Sequence, residues 1–299
     1  MKAVQWTVFI DMLGFKKLNS SVTTDEQAQD LIDFMTTNRD ILVGHEAALS
    51  EGYKRGNGFN PYDWYDVKSA FISDSIVVTF KPKEVPSEKN AGKVLMHSAN
   101  ALMLLTMRLG LMMHRCLQEK EITFRGGIST EYCDISNSFA VGAGLSAANE
   151  AEGKAKYARL VLADDVVNNA NLVKQVRQLF KRMYGDSEFL VEEKGVPYVN
   201  ALDLMLAGTD VRSPCVANAL GRLAGRAAVI EMRKQCEDFL TAQRRLVIDS
   251  IREFYSAYRK NYSNEKLRSV NRGVLKKYFW LRKYHNTTVK NRRYTDFLI

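Results

Sequence analysis

Two short segments each set an aspartate inside an apolar run: Val8-Phe9-Ile10-Asp11-Met12-Leu13-Gly14-Phe15 and Phe71-Ile72-Ser73-Asp74-Ser75-Ile76-Val77-Val78. Each reads as a buried strand bearing a carboxylate, and a buried carboxylate without a partner is costly. Caps or ion pairs are the ordinary explanation, but neither run carries a base of its own. A pair of hard oxygen ligands suits a shared divalent cation, Mg²⁺ or Mn²⁺, held for phosphate chemistry. Asp11 and Asp74 are therefore the candidate metal ligands.

The elements around them must bring them together. A strand over residues 4–12 ends at Asp11 and is followed by Gly14 and the bases Lys16 and Lys17. Thr24-Asp25-Glu26-Gln27 has the polar and acidic composition of a helix start, with the helix running towards Leu49. Residues 51–66 are loop-like, and residues 67–80 form two strands meeting near Asp74 and Ser75. A long apolar helix spans about 89–118. Further strands lie at 121–130, 136–142 and 159–163, with a helix over 145–157 between the last two. Residues 164–184 are helical, 188–201 form a hairpin turning at Lys194-Gly195, and 214–262 is a long helix or helical pair. This alternation predicts an α/β (α+β) fold, helices packed on a mixed or antiparallel sheet, with a C-terminal helical extension. The division expected is residues 1–210 and a basic helical extension over 211–299.

Bulk properties narrow the partners. A hydrophobic content of 46% supports a sizeable core and excludes a disordered chain. The longest apolar stretch, Val94 to Met113, is broken by His97, Ser98, Asn100 and Arg108 and reads as a buried amphipathic helix. No membrane span, no secretory signal and a cytoplasmic location are thus expected. Cys116, Cys133, Cys215 and Cys236 have neither metal-type nor disulfide-framework spacing. The net charge of +9 is local: residues 259–299 hold twelve Lys/Arg against Glu265 and Asp296, leaving the rest of the chain near neutral. The aromatics of that stretch, Tyr278, Phe279, Trp280 and Tyr284, suit either base stacking or packing. Packing is favoured here, and nucleic acid is not an expected partner.

In their order, the Asp11-Met12-Leu13-Gly14-Phe15 strand, the Ser73-Asp74-Ser75 hairpin and the Arg125-Gly126-Gly127-Ile128 strand resemble the class III nucleotidyl cyclases. The Gly142–Glu152 helix followed by Ala155–Leu160, with Tyr284-His285-Asn286 after Trp280-Leu281, is similar to the bacterial pyrimidine cyclases of the Pycsar anti-phage systems. The resemblance covers residues 4–165 well and the rest loosely. It implies attack of a ribose 3′-hydroxyl on the α-phosphate of a nucleoside triphosphate, with two Mg²⁺ or Mn²⁺ per site. It also implies a head-to-tail homodimer whose sites draw on both chains, and a separate effector that senses the cyclic nucleotide. The main chain of Met12, Leu13, Gly14 and Phe15 would border the phosphates, with Lys16 or Lys17 adding charge.

Departures from that pattern point to the base. The two positions where the family reads a purine fall at Ala70 and Phe139, so UTP or CTP is the substrate expected and cUMP or cCMP the product. The ribose-orienting asparagine falls at Ser146 unless Asn149, three residues on, takes its role. The transition-state arginine falls at Glu150, leaving Arg125, Lys154, Lys156 or Arg159 to substitute. Glu150, and Glu131 where the family often has glycine, favour the alternative of a catalytically silent nucleotide-binding scaffold. Arg125 itself suits either phosphate contact or a salt bridge, and Gly126 and Gly127 suit close backbone approach at a dimer or nucleotide surface. Tyr53, Tyr62, Trp64 and Tyr65 suit packing before base stacking, and His97 and His114 suit interior or interface roles. His45 carries no assigned role.

Overall fold

The computed structural model describes residues 2–44, 59–84, 90–137, 139–221, 223–261 and 263–299. The elements in chain order are β1 (Trp6–Leu13), α1 (Phe15–Ser20), α2 (Asp25–Val43), α3 (Pro61–Trp64), β2 (Tyr65–Ile72), β3 (Ser75–Pro82) and α4 (Ala91–Lys120). They continue with β4 (Thr123–Ser129), β5 (Asp134–Ser136), β6 (Phe139–Val141), α5 (Ala143–Ala155), β7 (Leu160–Leu162), α6 (Asp164–Val167) and α7 (Ala170–Tyr184). The remainder are β8 (Leu190–Glu193), β9 (Val196–Val199), α8 (Ala201–Ala207), α9 (Pro214–Leu220), α10 (Leu223–Lys260) and α11 (Glu265–Asn291).

Seven strands form one sheet in the order β2-β3-β1-β4-β7-β9-β8, and β5 pairs with β6 separately. Among the described residues only β4 and β7 run parallel, so the α/β expectation of helices on a largely antiparallel sheet holds. The Asp-bearing strand β1 sits between β3 and β4. Strand alternation gives each face its own task. Trp6, Val8, Ile10 and Met12 face one side with Ile76, Val78, Phe80, Phe124 and Ile128, buried beneath α2 and α4. Phe9, Asp11, Val77, Arg125 and Gly127 face the other, which α5 and the β5–β6 hairpin cover.

Local chemistry sets the boundaries. Thr24 caps α2 by accepting from the Gln27 amide at 3.3 Å. The described part of that helix ends at Val43, short of the expected Leu49. The Lys194-Gly195 turn is as expected, both residues taking positive φ, 54° and 75°, as a type I′ hairpin demands. The expected loop over 51–66 is only partly described; its last residues instead form α3, nucleated by Asn60 and Pro61.

Helix α4 is long and apolar enough to cross a membrane by length and composition alone, but 56% of its apolar window is buried inside the fold. Ser98 and Arg108 find their partners there. Ser98 accepts from the Val4 amide and its carbonyl from the Trp6 indole, both at 2.9 Å. Arg108 donates to the Leu42 carbonyl and the Tyr62 hydroxyl at 2.9 and 2.8 Å. Tyr62, Trp64 and Tyr65 are accordingly packing residues: Trp64 lies against His97, and Tyr65 donates to the Val4 carbonyl. Tyr53, with Lys54, Arg55 and His45, lies outside the described residues. The four cysteines are free thiols.

The basic C-terminal stretch packs. Phe239, Leu240 and Val289 join Leu117, Leu202 and Leu206 in one apolar cluster, and Val247, Trp280 and Leu281 join Ala151, Val161 and Tyr198 in another. Arg292 bridges Asp203 at 2.6 Å and Asp210 at 3.5 Å. His285 is fully buried, donating from Nε2 to the Phe297 carbonyl.

Candidate active site

Antiparallel pairing places Asp11 directly opposite Ser75 on β3 and directly opposite Arg125 on β4. Asp74 precedes Ser75 in the two-residue turn between β2 and β3, where Ser73 takes φ 59°. The Met12 amide donates to the Asp74 carbonyl at 2.9 Å, clamping the turn to the end of β1. The two aspartates therefore meet at one end of the sheet. Their settings differ from two buried strands, however: Asp11 is a half-buried strand residue, whereas Asp74 is a half-buried turn residue.

Arg125 answers the question of a partner for Asp11. Its Nε and Nη2 reach one Asp11 oxygen at 3.0 and 2.9 Å, a cross-strand pair of opposite charge. The same guanidinium pairs with Glu152, which α5 delivers onto this face. Burial raises the Glu152 carboxyl pKa, opposed by the Arg125 charge, reinforced by Asp11 and opposed again by Lys277. Asp74's carboxylate, by contrast, has no hydrogen bond or ion pair among the described residues.

A raised Glu152 pKa means that the folded chain holds a proton the unfolded chain has lost. Between the ordinary value of 4.5 and the raised one, stability must therefore fall as pH rises. We expect Glu152→Gln to flatten the dependence of Tm on pH just above 4.5, read by thermal melts across that range. An unchanged slope would remove Glu152 as its source.

The glycines after Arg125 serve the fold. A Cβ on Gly127 would collide with the Ala148 carbonyl and sit 2.8 Å from the Ala151 Cβ; one on Gly126 would come 2.9 Å from Leu160. The close approach they permit is to the chain's own helix α5 and neighbouring strands, not to a dimer or nucleotide surface.

The remaining expected residues divide. Leu13 and Gly14 line a cleft of about 690 Å³ with Lys17, Lys277 and Tyr278. Gly14 takes φ 102°, opening α1, and Lys16 is exposed. The amides of Phe15 and Lys16 have no acceptor among the described residues. The Met12 amide is already used by Asp74, and the Met12 and Phe15 side chains belong to the core. These two side chains are thus withdrawn from the cleft. Ala70 is buried beneath Cys133 and Ile135 of the β5–β6 hairpin, so it does not face a ligand. Phe139 is 75% exposed on β6. Asn149 is exposed on α5, on one face with Ser146 and Glu150.

Arg159 is placed differently from the catalytic role expected. It is 7% exposed, ion-paired with Glu193 at 3.2 Å, and enclosed by the rings of Tyr157, Tyr198 and Trp280 at 4.8–5.5 Å. Desolvation lowers its pKa despite Glu193. A guanidinium so surrounded locks α11 onto the sheet edge and presents no face to phosphate. Lys154 is exposed and paired with Asp164 at 3.3 Å, and Lys156 is exposed.

Two residues went unread in the sequence. Glu152 stands on the small-residue stripe Ala148, Ala151, Ala155, one helical face, and a charge on that stripe was the available signal. Lys277 reaches the cleft only through tertiary packing and left no local signal.

A divalent ion fits this donor set. Mg²⁺ and Mn²⁺ take oxygen ligands and need only one or two protein carboxylates when phosphates supply the rest. Among the described residues the Asp74 carboxylate has no hydrogen bond or ion pair, Asp11 adjoins it across the hairpin end, and no group of three or more His, Cys, Asp or Glu suited to a metal occurs.

No protein-family model matches the chain, and no curated protein matches it. Solved structures do. The adenylyl cyclase CyaB from P. aeruginosa aligns with 66% of this chain and 93% of its own at 16% identity and a TM-score of 0.36. The guanylyl cyclase Cya2 aligns with 67% and 92% at 14% identity and 0.32. The catalytic core of a rhodopsin-guanylyl cyclase with converted specificity, in complex with ATPαS, aligns with 67% and 96% at 16% identity and 0.35.

Proposed function

We propose that this chain is a nucleotidyl cyclase that converts UTP or CTP to the 3′,5′-cyclic nucleotide and pyrophosphate. The observation that carries the reading is the meeting of Asp11 and Asp74 at one sheet end, fixed by the Met12–Asp74 clamp, with a cleft that begins two residues along the chain at Leu13-Gly14. Two bound Mg²⁺ or Mn²⁺ ions would lower the pKa of the 3′-hydroxyl and neutralise the triphosphate. Asp11 and Asp74 hold the charge that recruits them. Leu13, Gly14 and Lys16 border the phosphates, and Arg125 fixes the Asp11 carboxylate in orientation.

Pyrimidine choice rests on what is absent from the base-reading positions. Ala70 is closed off beneath the β5–β6 hairpin and reads no base, and Phe139 offers a ring face without a hydrogen-bonding group. Exposed Tyr132, Phe139 and Val141 beside the Ser146–Asn149–Glu150 face of α5 form a surface that suits a second copy of the chain. In such a homodimer Asn149 of one chain would orient the ribose held by Asp11 and Asp74 of the other. A role in anti-phage signalling, with a separate effector for the cyclic nucleotide, completes this reading.

The test is incubation of the pure protein with each of the four ribonucleoside triphosphates and Mn²⁺. A cyclic pyrimidine nucleotide and pyrophosphate are expected; no cyclic product from any of the four between pH 7 and 9 would overturn the reading. The shared site gives a second prediction. Asp74→Asn and Asn149→Ala should each be inactive alone, and mixing them should restore about one quarter of native activity through hybrid dimers with one intact site. No recovery on mixing would place both residues in a single chain's site.

Two features favour the silent scaffold: Arg125 already occupies Asp11, and Glu150 falls where the resembling family sets a transition-state cation. On that reading nucleotide binds and no pyrophosphate is released.

A further inference from the structure

The cleft that begins at Leu13, two residues past Asp11, has walls from distant parts of the chain. Leu13, Gly14 and Lys17 form one, and Lys277 and Tyr278 of α11 form another. Strand geometry places Gly14 about 10 Å along the chain from Asp11, a span fitting the tail of a triphosphate whose α-phosphate lies at the carboxylates.

Charge balance in the cleft favours an anion. Lys120 is neutralised by Asp30 at 2.5 Å, Glu121 by Arg245 at 3.3 Å and Asp249 by Arg252 at 3.9 Å. Lys17 and Lys277 have no ion pair within the described residues, and Glu253 is the acid left opposite them. Lys277 is half-buried and lines the cleft.

We propose that Lys277, reaching over from the C-terminal helix with Lys17 opposite, binds the β- and γ-phosphates of the nucleotide and then the pyrophosphate it releases. The inference rests on the cyclase reading and deepens it: the tail of the triphosphate is held within the same chain by the helical extension. A lysine ammonium is a point charge with three donors, suited to phosphate oxygens without fixed bidentate geometry.

The probe is inorganic pyrophosphate with Mn²⁺, titrated calorimetrically into the intact protein. Lys277→Ala and Lys277→Gln should each weaken binding roughly tenfold, with Lys277→Arg close to native and Lys17→Ala weakened like Lys277→Ala. Thermal melts of each variant separate this from misfolding, and Lys277→Gln keeps the aliphatic stem. If both Lys277 variants bind pyrophosphate as tightly as the native chain, the inference is overturned, whereas cyclisation by the native chain would leave the cyclase reading standing. If the native chain binds pyrophosphate and Lys277→Gln does not, the inference holds even where no nucleotide is cyclised. If the native chain neither binds pyrophosphate nor cyclises any nucleotide, both fail.

Discussion

Asp74→Asn is expected to lower Mn²⁺-dependent cyclisation by at least about a thousandfold, the rate equivalent of roughly 4 kcal/mol, with Tm almost unchanged. The contrast arises from how the residue is used. Its carboxylate makes no hydrogen bond or ion pair among the described residues, whereas its main-chain carbonyl receives the Met12 amide. Asparagine keeps the carbonyl, the size and the tolerance for a turn and removes only the charge. Asp11→Asn would be a poorer probe, since it also strips Arg125 of a partner and leaves the guanidinium with Glu152 alone. The measurement is product formation against nucleotide concentration, with a thermal melt on the same preparation. Native-like turnover in Asp74→Asn would eliminate Asp74 as a metal ligand.

Gly127→Ala is expected to damage the fold. Its added methyl meets the Ala148 carbonyl and the Glu152 amide, backbone groups that move only if α5 lifts from the sheet. Overpacking of this kind costs about 3 kcal/mol, a fall in Tm on the order of 6–12 °C. Gly153→Ala supplies the opposite sign from the same helix. Its Cβ meets nothing within 4 Å, and alanine inside a helix is worth about 0.5–1 kcal/mol over glycine. Thermal melts of the two variants side by side test the packing; equal shifts would contradict it.

The fold was legible where residue chemistry is local. The Lys194-Gly195 turn, the Thr24 cap and the apolar helix beginning near residue 90 are dictated by residues within a few positions of one another. The meeting of Asp11 and Asp74 was legible because a hairpin forces its own turn to one sheet end. The partners of Arg125 were not. A strand sequence does not state its register, and one-residue slippage of β4 would have turned Arg125 to the other face. Arg159 misled for a related reason: its basic character suggested phosphate, while its environment comes from Tyr198 and Trp280, remote in sequence. The buried Ala70 shows the same limit, since the hairpin that covers it lies some sixty residues further along.

The helix that carries Trp280 is translated after every strand of the sheet. Until it emerges, Val161, Tyr198 and the Arg159 guanidinium lack the aromatic cover that Trp280 provides. The growing chain thus shows an unfinished apolar edge during synthesis, and the cleft lacks Lys277 over the same interval. A chain released before that helix docks would therefore expose the apolar edge that Trp280 covers in the folded protein.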